Sequence, residues 1–222
     1  MPKINLGVLA SGRGSNLQAI IDAIESGRLD ARIAVVVSDR KEAQALERAR
    51  QHGVAHFHLS PKDYSNREDY DGAIAKILQE YAVDLVIMAG YMRIITPILI
   101  NPYRNRVINI HPSLLPSFPG LHAQRQALEH GVKVTGATVH FVDEQVDHGP
   151  IIIQAAVPVL EGDTEETLSA RIVEQEHRIY PQVIQWFAEG RLKVTGRRVI
   201  IEGIAAYMSA FIRPGMGSGG GG

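Results

Sequence analysis

Asn109 and His111 are the two residues of this sequence whose types and spacing most clearly suit chemistry. They lie two positions apart in the apolar run of residues 107–111, and a strand places alternate residues on the same face. Pro112 lacks the N–H that would extend a sheet, so we expect the strand to end at His111 and to leave the imidazole at the sheet edge. The amide and the imidazole could donate to a developing negative charge, or they could be structural groups at a strand end.

A second candidate site is the glycine-rich segment Gly12 to Asn16. It follows an apolar stretch at residues 4–10 and precedes apolar residues at helical spacing, which predicts strand, turn and helix. Backbone N–H groups at the start of such a helix bind anions, although a plain tight turn would have the same composition. The Gly-Lys-Ser/Thr ending of a nucleoside triphosphate loop is absent. Leu17 takes the place of the third glycine in a dinucleotide fingerprint, so we expect one bound phosphate, even though Asp39 could imitate the fingerprint's ribose-binding acid.

Composition excludes several classes of function. The chain has 222 residues, no cysteine and a net charge of −1, which rules out thiolate chemistry and gives no electrostatic footprint for nucleic acid or an anionic membrane. His56 and His58 share one face of a predicted strand, but no third ligand is spaced nearby, so we expect no metal site. No stretch has the length of a membrane span and none resembles a signal peptide, so we expect a cytoplasmic protein.

The elements that must position these residues alternate between strands and helices. Apolar strands are predicted at residues 4–10, 32–38, 55–58, 84–89, 107–111, 134–142 and 151–157, with a terminal hairpin at 193–201. Helices are predicted between most of them, the longest beginning after Asp163, capped with Glu166 and kinked or restarted at Pro181. This order predicts an α/β fold with an open, mostly parallel twisted sheet, helices on both faces and antiparallel additions in the C-terminal half.

The run Asn109 to Pro116, Asn-Ile-His-Pro-Ser-Leu-Leu-Pro, resembles a motif of the folate-dependent formyltransferases. A second resemblance is the Asp-x-Gly-Pro sequence at residues 147–150, which follows a Thr-x-His strand. Within this family the chain up to about Ile201 is most similar to the enzymes that act on glycinamide ribonucleotide. The resemblance implies a Rossmann-like formyltransferase fold in one domain, residues 1–201, with a nucleotide-binding half at about 1–103 and a folate-binding half at about 104–201. Residues 202–222 would be an extension with a flexible glycine-rich tail.

The resemblance also implies the reaction, which is transfer of a formyl group from 10-formyltetrahydrofolate to the amine of glycinamide ribonucleotide in de novo purine biosynthesis, without a metal. Asn109, His111 and Asp147 would be the catalytic residues. An amine that attacks a formyl carbonyl develops negative charge on oxygen and positive charge on nitrogen. Asn109 and a protonated His111 would donate to the oxygen, and Asp147 would accept the amine proton. The partners would be these two small molecules, with no nucleic acid and no membrane. The protein itself would be a monomer or a homodimer.

Two sets of binding residues follow from the same resemblance. The ribonucleotide set holds the phosphate and the ribose hydroxyls: Gly12, Arg13, Gly14, Ser15, Asn16, Arg67, Pro112 and Glu176. The folate set lines a pterin pocket: Met92, Arg93, Ile94, Ile95, His140, Val142, Asp143, Glu144 and Asp147. The residues alone leave other interpretations open, since Arg67 could be a solvated helix-end charge, Met92 and Ile94 could pack in the core, and Glu176 could face solvent.

Three other functions are open at this point. Formyltetrahydrofolate hydrolase shares the core motifs, but the glycine loop and Glu176 favour a ribonucleotide. Methionyl-tRNA formyltransferase shares them too, but it needs a basic tRNA-binding region that this nearly neutral chain does not show. A nicotinamide-dinucleotide-binding regulatory module would use Gly12, Gly14 and Asp39.

Overall fold

The computed structural model describes residues 3–203 of the chain. Its strands are β1 (Ile4–Ala10), β2 (Ala31–Ser38), β3 (Ala55–His58), β4 (Leu85–Met88), β5 (Val107–His111), β6 (Val134–Phe141), β7 (Ile151–Pro158), β8 (Leu192–Thr195) and β9 (Arg198–Ile201). Its α-helices are α1 (Ser15–Glu25), α2 (Gln44–Gln51), α3 (Arg67–Glu80), α4 (Pro97–Ile100), α5 (Ala123–His130) and α6 (Glu165–Ala188), with short 3-10 turns at Pro61–Asp63 and Asn101–Tyr103. Most of the predicted C-terminal extension, residues 204–222, lies outside the described residues.

The strands form one sheet in the order β3-β2-β1-β4-β5-β6-β7-β9-β8. Strands β1 to β5 are parallel, β6 pairs antiparallel with β5, and β7 pairs antiparallel with β6. The predicted mixed α/β sheet is therefore confirmed, and the division of the chain into two halves stays a prediction. Because the chain moves outward from β1 to β3 and then returns to β4, a crevice opens between the carboxyl ends of β1 and β4, where open α/β sheets bind ligands.

Apolar side chains cover both faces of the parallel part of the sheet. One cluster packs α1 and α6 against it through residues such as Leu17, Ile20 and Ile172. The other packs α3 and α4 against the opposite face, with Ile74 and Leu99 among its fully buried members. Burial on both sides explains why β1 shows no alternation of apolar and polar residues. No helix within residues 3–203 combines the length and apolar character that crossing a membrane would require.

Helix α6 differs from the prediction at Pro181 and at its N-terminal cap. Pro181 lies inside an unbroken helix and does not restart it. The residues around Pro181 are buried in the core, so tertiary packing holds the helix together where one backbone hydrogen bond is missing. The cap is also different, because Thr164 and Thr167 form the reciprocal capping pair and Asp163 instead binds the guanidinium of Arg171.

Tyr180 connects α6 to the centre of the sheet. Its side chain is fully buried, and its hydroxyl lies 3.0 Å from the carbonyl oxygen of Met88 and 3.1 Å from that of Ile108. Burial raises the pKa of Tyr180 well above its usual value, so the hydroxyl keeps the proton that it donates. The hydroxyl thus holds the helix to β4 and β5, the strands that lead into the candidate site.

We expect Tyr180→Phe to lower the free energy of unfolding by about 1–2 kcal/mol, because the carbonyl groups of Met88 and Ile108 lose the one hydroxyl hydrogen that they share while the ring still fills its space. Urea denaturation measures this change. Tyr81→Phe is the matched control, because no hydrogen bond of the Tyr81 hydroxyl occurs within residues 3–203. Equal effects of the two substitutions would contradict a structural role for the Tyr180 hydroxyl.

Candidate active site

Strand β5 ends at His111, as predicted, and presents Asn109 and His111 to the same cavity. The His111 side chain is almost completely buried. Its Nε2 lies 2.8 Å from the carbonyl oxygen of Phe118, in the loop that follows the strand. A carbonyl oxygen only accepts hydrogen bonds, so Nε2 carries a hydrogen and the ring orientation is fixed from the loop side.

Asp147 reaches His111 from the loop between β6 and β7. Its Oδ2 lies 3.3 Å from Nδ1 of His111 and accepts a hydrogen bond of 2.8 Å from the backbone N–H of Gly120. Both ring nitrogens of His111 therefore face acceptors, which a doubly protonated ring satisfies. The fold thus brings Asp147 to His111, and with Asn109 nearby it joins the three residues that the resemblance named as catalytic.

The backbone conformation of the β6–β7 loop determines the orientation of the Asp147 side chain. The loop is closed by a hydrogen bond of 2.9 Å from the N–H of Phe141 to the carbonyl oxygen of Pro150. Asp147 has a φ of 50°, a left-handed conformation that Asp and Asn tolerate better than most residues. Gly149 presses so closely on Phe141 that a Cβ atom would overlap the Phe141 carbonyl oxygen. The Asp-x-Gly-Pro sequence is thus a conformational requirement as well as a chemical one.

Asn109 is paired across the sheet with His140, its direct partner in β6. The amide nitrogen Nδ2 of Asn109 lies 3.3 Å from Nε2 of His140 and makes a longer contact, 3.5 Å, with Oδ1 of Asp147. We expected this amide to be free to donate to a substrate oxygen. In the structure both of its hydrogens face protein acceptors, because the antiparallel register places His140 opposite Asn109 and the loop places Asp147 beside it.

A cavity of about 510 Å³ adjoins these residues. It contains all of the predicted folate set except Glu144, and also the predicted ribonucleotide contact Pro112. Met92 is 56% exposed and Ile94 is 51% exposed, so the interpretation that they pack in the core is wrong. Ile95 lines the cavity but is itself buried in the core, and Glu144 lies outside the cavity, near Arg104.

Further residues line the same cavity that the sequence did not single out: Leu121, His122, Gln124, Gln145 and Val146. Leu121 and His122 come from the loop before α5, Gln124 from the first turn of α5, and Gln145 and Val146 from the β6–β7 loop. Leu121 and Val146 are exposed apolar side chains that line the cavity together with exposed Met92 and Ile94, and such a grouped apolar surface is typical of a binding site. No local pattern in the proline- and glycine-rich sequence before α5 indicates which of its side chains line the cavity.

The glycine loop lies at the start of α1, beside this cavity. Gly14 caps the helix with a φ of 67°, and a Cβ atom there would lie 2.9 Å from the backbone of Ala45. Two hydrogen bonds connect the β1 and β4 loops, because Ser11 N–H donates to the carbonyl oxygen of Gly90 (3.1 Å) and the hydroxyl of Ser11 accepts from the N–H of Met92 (2.9 Å). Arg13 and Ser15 line a neighbouring groove between α2 and α6.

Glu176 is buried, so its interpretation as a solvent-facing residue is wrong. One of its carboxylate oxygens accepts a hydrogen bond of 2.8 Å from Nδ2 of Asn16, which joins α6 to the glycine loop. Burial raises the pKa of Glu176, and the hydrogen bond from Asn16 opposes that rise. Oδ1 of Asn16 is also buried and has no protein partner within the described part of the chain. A buried polar pair with an unsatisfied acceptor at a glycine loop is suited to a polar ligand.

Arg67 and Asp39 are placed less simply. Arg67 begins α3, close to buried Asp71. Burial raises the pKa of Asp71, and hydrogen bonds from Thr96 and the charges of Arg67 and Arg93 oppose that rise. No hydrogen bond or ion pair within residues 3–203 joins Arg67 to the glycine loop, so its contact with a phosphate stays a prediction. Asp39 has a buried carboxylate oxygen without a protein partner in the described residues, and Leu17 is fully buried where a dinucleotide fold has glycine.

Within residues 3–203 no three His, Asp or Glu side chains lie close enough together to bind a metal ion. The arrangement that these residues do hold is an imidazole, a carboxylate and an amide at the wall of a partly apolar cavity. Such a set is able to donate to a developing oxyanion and to accept a proton from a nucleophile. A second, polar site for an anion adjoins it at the glycine loop.

Comparisons with known proteins agree with this arrangement. The family model described as "Formyl transferase" matches residues 4–184. The phosphoribosylglycinamide formyltransferase of Escherichia coli (strain K12) is 48% identical over 210 residues, which cover 91% of this chain and 99% of that relative. The trifunctional purine biosynthetic protein adenosine-3 of Homo sapiens is 45% identical over 192 residues, 86% of this chain but 19% of that protein.

Two solved structures extend the comparison. Glycinamide ribonucleotide transformylase 1 from Symbiobacterium toebii has 60% sequence identity and a TM-score of 0.89, with coverage of 90% of this chain and 94% of that one. A formyltetrahydrofolate deformylase from Pseudomonas syringae pv. tomato has 31% identity and a TM-score of 0.82, with coverage of 90% of this chain and 66% of the deformylase chain.

We expect Gly149→Ala to lower the free energy of unfolding by about 1–3 kcal/mol, because the added methyl group overlaps the Phe141 carbonyl oxygen and must displace the loop that carries Asp147. Chemical denaturation of the purified protein measures the loss. Gly72→Ala, in α3, is the control with the same chemical change, since its Cβ would meet Ile98 at an ordinary 3.8 Å. A Gly149→Ala protein as stable as the Gly72→Ala protein would contradict the close packing of this loop.

Proposed function

The chain belongs to the formyl transferase family, and on that premise we propose that it transfers the formyl group of 10-formyltetrahydrofolate to the amine of glycinamide ribonucleotide. The products are formylglycinamide ribonucleotide and tetrahydrofolate, and the reaction is a step of purine biosynthesis. The observation that supports this most is the meeting of Asn109, His111 and Asp147 at one cavity wall, beside a glycine loop suited to a phosphate. Relatives named for this activity are 45–48% identical over most of the chain.

The glycine loop holds the phosphate of the ribonucleotide in this proposal. No side chain caps the start of α1, so its first N–H groups are without a capping partner, and the positive end of the helix dipole favours an anion there. Glu176 and Asn16 lie behind the loop as a pair that offers both acceptors and donors. Ribose hydroxyls can donate to the buried Glu176 carboxylate, which within residues 3–203 accepts one hydrogen bond, from Asn16.

The cavity at Met92, Ile94 and Val142 holds the folate. A flat heterocycle needs apolar walls and a few fixed polar groups, and the loops after β4 and β6 supply both. Arg93 stacks its guanidinium over the ring of Tyr70, with 5.3 Å between the guanidinium carbon and the ring centroid. The stacked guanidinium is a positive charge in a fixed position at the cavity wall, and it is suited to bind the carboxylates of the folate tail.

The chemistry is direct transfer without a covalent enzyme intermediate. The amine nitrogen forms a bond to the formyl carbon, and the carbonyl π electrons move to oxygen. The Nε2–H of His111 exchanges its hydrogen bond to the Phe118 carbonyl oxygen for one to this developing negative charge. Asp147, directly or through a water molecule, accepts the proton that the attacking nitrogen loses. When the carbonyl re-forms, the bond to the folate nitrogen breaks, and that nitrogen takes up one proton, so the overall reaction releases none.

The main alternative is hydrolysis of formyltetrahydrofolate, and the structural likeness to a deformylase favours testing it. The two activities differ in the nucleophile, an amine or water. We would incubate the purified protein with 10-formyltetrahydrofolate and measure formate and tetrahydrofolate with and without glycinamide ribonucleotide. Transfer predicts turnover that requires the ribonucleotide, whereas formate release at an equal rate without it would establish the hydrolase.

A cytoplasmic location and a monomer or homodimer as the working form belong to the same proposal. The ribonucleotide and 10-formyltetrahydrofolate are the only partners in it, and no metal, nucleic acid or membrane takes part. Cell fractionation and analytical ultracentrifugation of the purified protein would test the location and the oligomeric state.

We expect Gly14→Val to raise the ribonucleotide KM about 10- to 100-fold, because a side chain at this left-handed position collides with Ala45 and moves the N–H donors away from the phosphate. The folate KM should stay near its original value, since the folate cavity does not include Gly14. Steady-state kinetics with each substrate varied in turn separates the two constants. An unchanged ribonucleotide KM in the folded variant would show that the phosphate does not bind at this loop.

We expect Asp147→Asn to lower kcat by about 100- to 10,000-fold, because it removes the negative charge and the proton acceptor together. Asparagine tolerates the left-handed backbone at this position, so the loop itself should keep its conformation. The control is Asp30→Asn, which makes the same chemical change at an exposed residue. A kcat within a few fold of the original enzyme, as for Asp30→Asn, would exclude Asp147 from the chemistry.

A further inference from the structure

We propose that Arg48 of α2 is a positioning residue for the phosphate site, because it holds the carbonyl group of Arg13 and thereby turns the N–H of Gly14 toward the bound phosphate. The proposal deepens the proposed function and rests on it, since the phosphate is that of glycinamide ribonucleotide. Arg48 lies 35 positions from Arg13 along the chain, so no local pattern in the sequence indicates this role.

The guanidinium of Arg48 makes two hydrogen bonds at the start of α1. Its Nε–H donates to the carbonyl oxygen of Arg13 at 3.0 Å, and its Nη1 donates to Oε1 of Gln18 at 2.8 Å. A guanidinium is planar and rigid, so a group held at two of its nitrogens has a fixed orientation. Gln18, in the first turn of α1, therefore keeps Arg48 aligned with the glycine loop.

Peptide geometry converts this contact into a direction for a donor. In a trans peptide unit the C=O and the N–H point in opposite directions, so a carbonyl of Arg13 held by Arg48 directs the N–H of Gly14 away from α2. The preceding carbonyl is held in the same way, because the N–H of Ala45 in α2 donates to the carbonyl oxygen of Gly12 at 3.2 Å. Two successive N–H groups, those of Arg13 and Gly14, therefore face the side opposite α2.

These two donors lie next to the free N–H groups of α1. No side chain caps the helix, so the N–H groups of Ser15 and Asn16 are without a capping partner. Gly14 has a φ of 67°, and successive N–H groups around a left-handed residue form a concave site for an anion. Asn16 is 8% exposed, and its buried Oδ1 has no partner within residues 3–203, which independently indicates a polar ligand at this loop.

The alternative is that Arg48 binds the phosphate itself. Arg48 lines two grooves, and both of them also include Ser15. Its Nε and Nη1 already donate to acceptors of the protein, however, and they do so from the α2 side of the loop. The contacts therefore favour a positioning role, and direct binding of the phosphate is an outcome that the test distinguishes.

The test compares the affinity of the protein for glycinamide ribonucleotide with its affinity for the riboside that lacks the phosphate group. Titration calorimetry gives both constants, and their ratio is the phosphate preference. Arg48→Met keeps most of the aliphatic stem but removes both donors, so we expect the preference to fall about 10- to 100-fold as a charge-assisted hydrogen bond is lost. Arg50→Met is the matched control on the same helix, because Arg50 is exposed and pairs with Glu47, and it should leave the preference unchanged.

A second variant separates position from charge. Gln18→Met leaves the charge of Arg48 in place but removes the acceptor that aligns it, so the phosphate preference should fall about 2- to 10-fold. The amide NMR signal of Gly14 is the direct readout. It should move on saturation with the ribonucleotide in the original protein and much less in Arg48→Met. A Gly14 signal that responds equally in both proteins would overturn the proposal, and with a lowered preference it would show that Arg48 contacts the phosphate.

Tetrahydrofolate binding is the folding control, because the folate cavity does not include Arg48. In steady-state kinetics, Arg48→Met should raise the ribonucleotide KM and leave kcat within a few fold, since the phosphate contact is the same before and during the reaction. An unchanged phosphate preference in Arg48→Met would overturn the proposal. A loss of tetrahydrofolate binding as large as the loss of preference would also overturn it, because Arg48 would then only stabilise the fold.

Failure of the proposed function is read from a different protein. If the original protein does not bind glycinamide ribonucleotide, the proposed function is wrong, and no variant is needed to show it. If the original protein binds the ribonucleotide more tightly than the riboside, the proposed phosphate site stands, and the variants at Arg48 and Gln18 then decide the role of Arg48.

Discussion

A carboxylate that is only 11% exposed has to find hydrogen-bond donors inside the protein, and the Asp147 carboxylate finds them on separate parts of the chain. Gly120 supplies a backbone N–H from the loop after β5, and His111 and Asn109 supply side-chain donors from the strand itself. One carboxylate therefore holds the β6–β7 loop to β5 and to the loop that follows β5. The catalytic geometry and the local stability of the site have the same origin, which is the need to satisfy that charge.

Local patterns in the sequence predicted the parts of the site that depend on neighbouring residues. The alternation of residues 107–111 and the proline that follows were sufficient to place Asn109 and His111 on one face at a strand end. The glycine turn before an amphipathic stretch likewise predicted a helix start, and Gly14 has the backbone conformation that only glycine adopts easily. These inferences depend on a few adjacent dihedral angles, which is why the sequence alone supports them.

The parts that were missed depend on long-range pairing. The partner of Asn109 is set by the register of β5 against β6, and a shift of one residue would replace His140 with a residue of the other face. Glu176 meets Asn16 across 160 positions of sequence, so no window of residues shows that either is buried. Proline at position 181 suggested a break in α6 because the local rule is strong, but packing against the core outweighs it.

Ser11 connects the two loops at which ligands are expected to bind, and this connection bears on how one ligand affects the affinity of the other. Its backbone and its hydroxyl connect the glycine loop to the loop at Gly90 and Met92, so a ligand that displaced one loop would have to break these two hydrogen bonds or move the other loop with it. Thermodynamic linkage then makes the effect mutual, since any factor by which one substrate changes the affinity of its neighbour must apply equally in reverse. Two ligands bound at these two loops would then change each other's affinity without direct contact, through one serine between two strand ends.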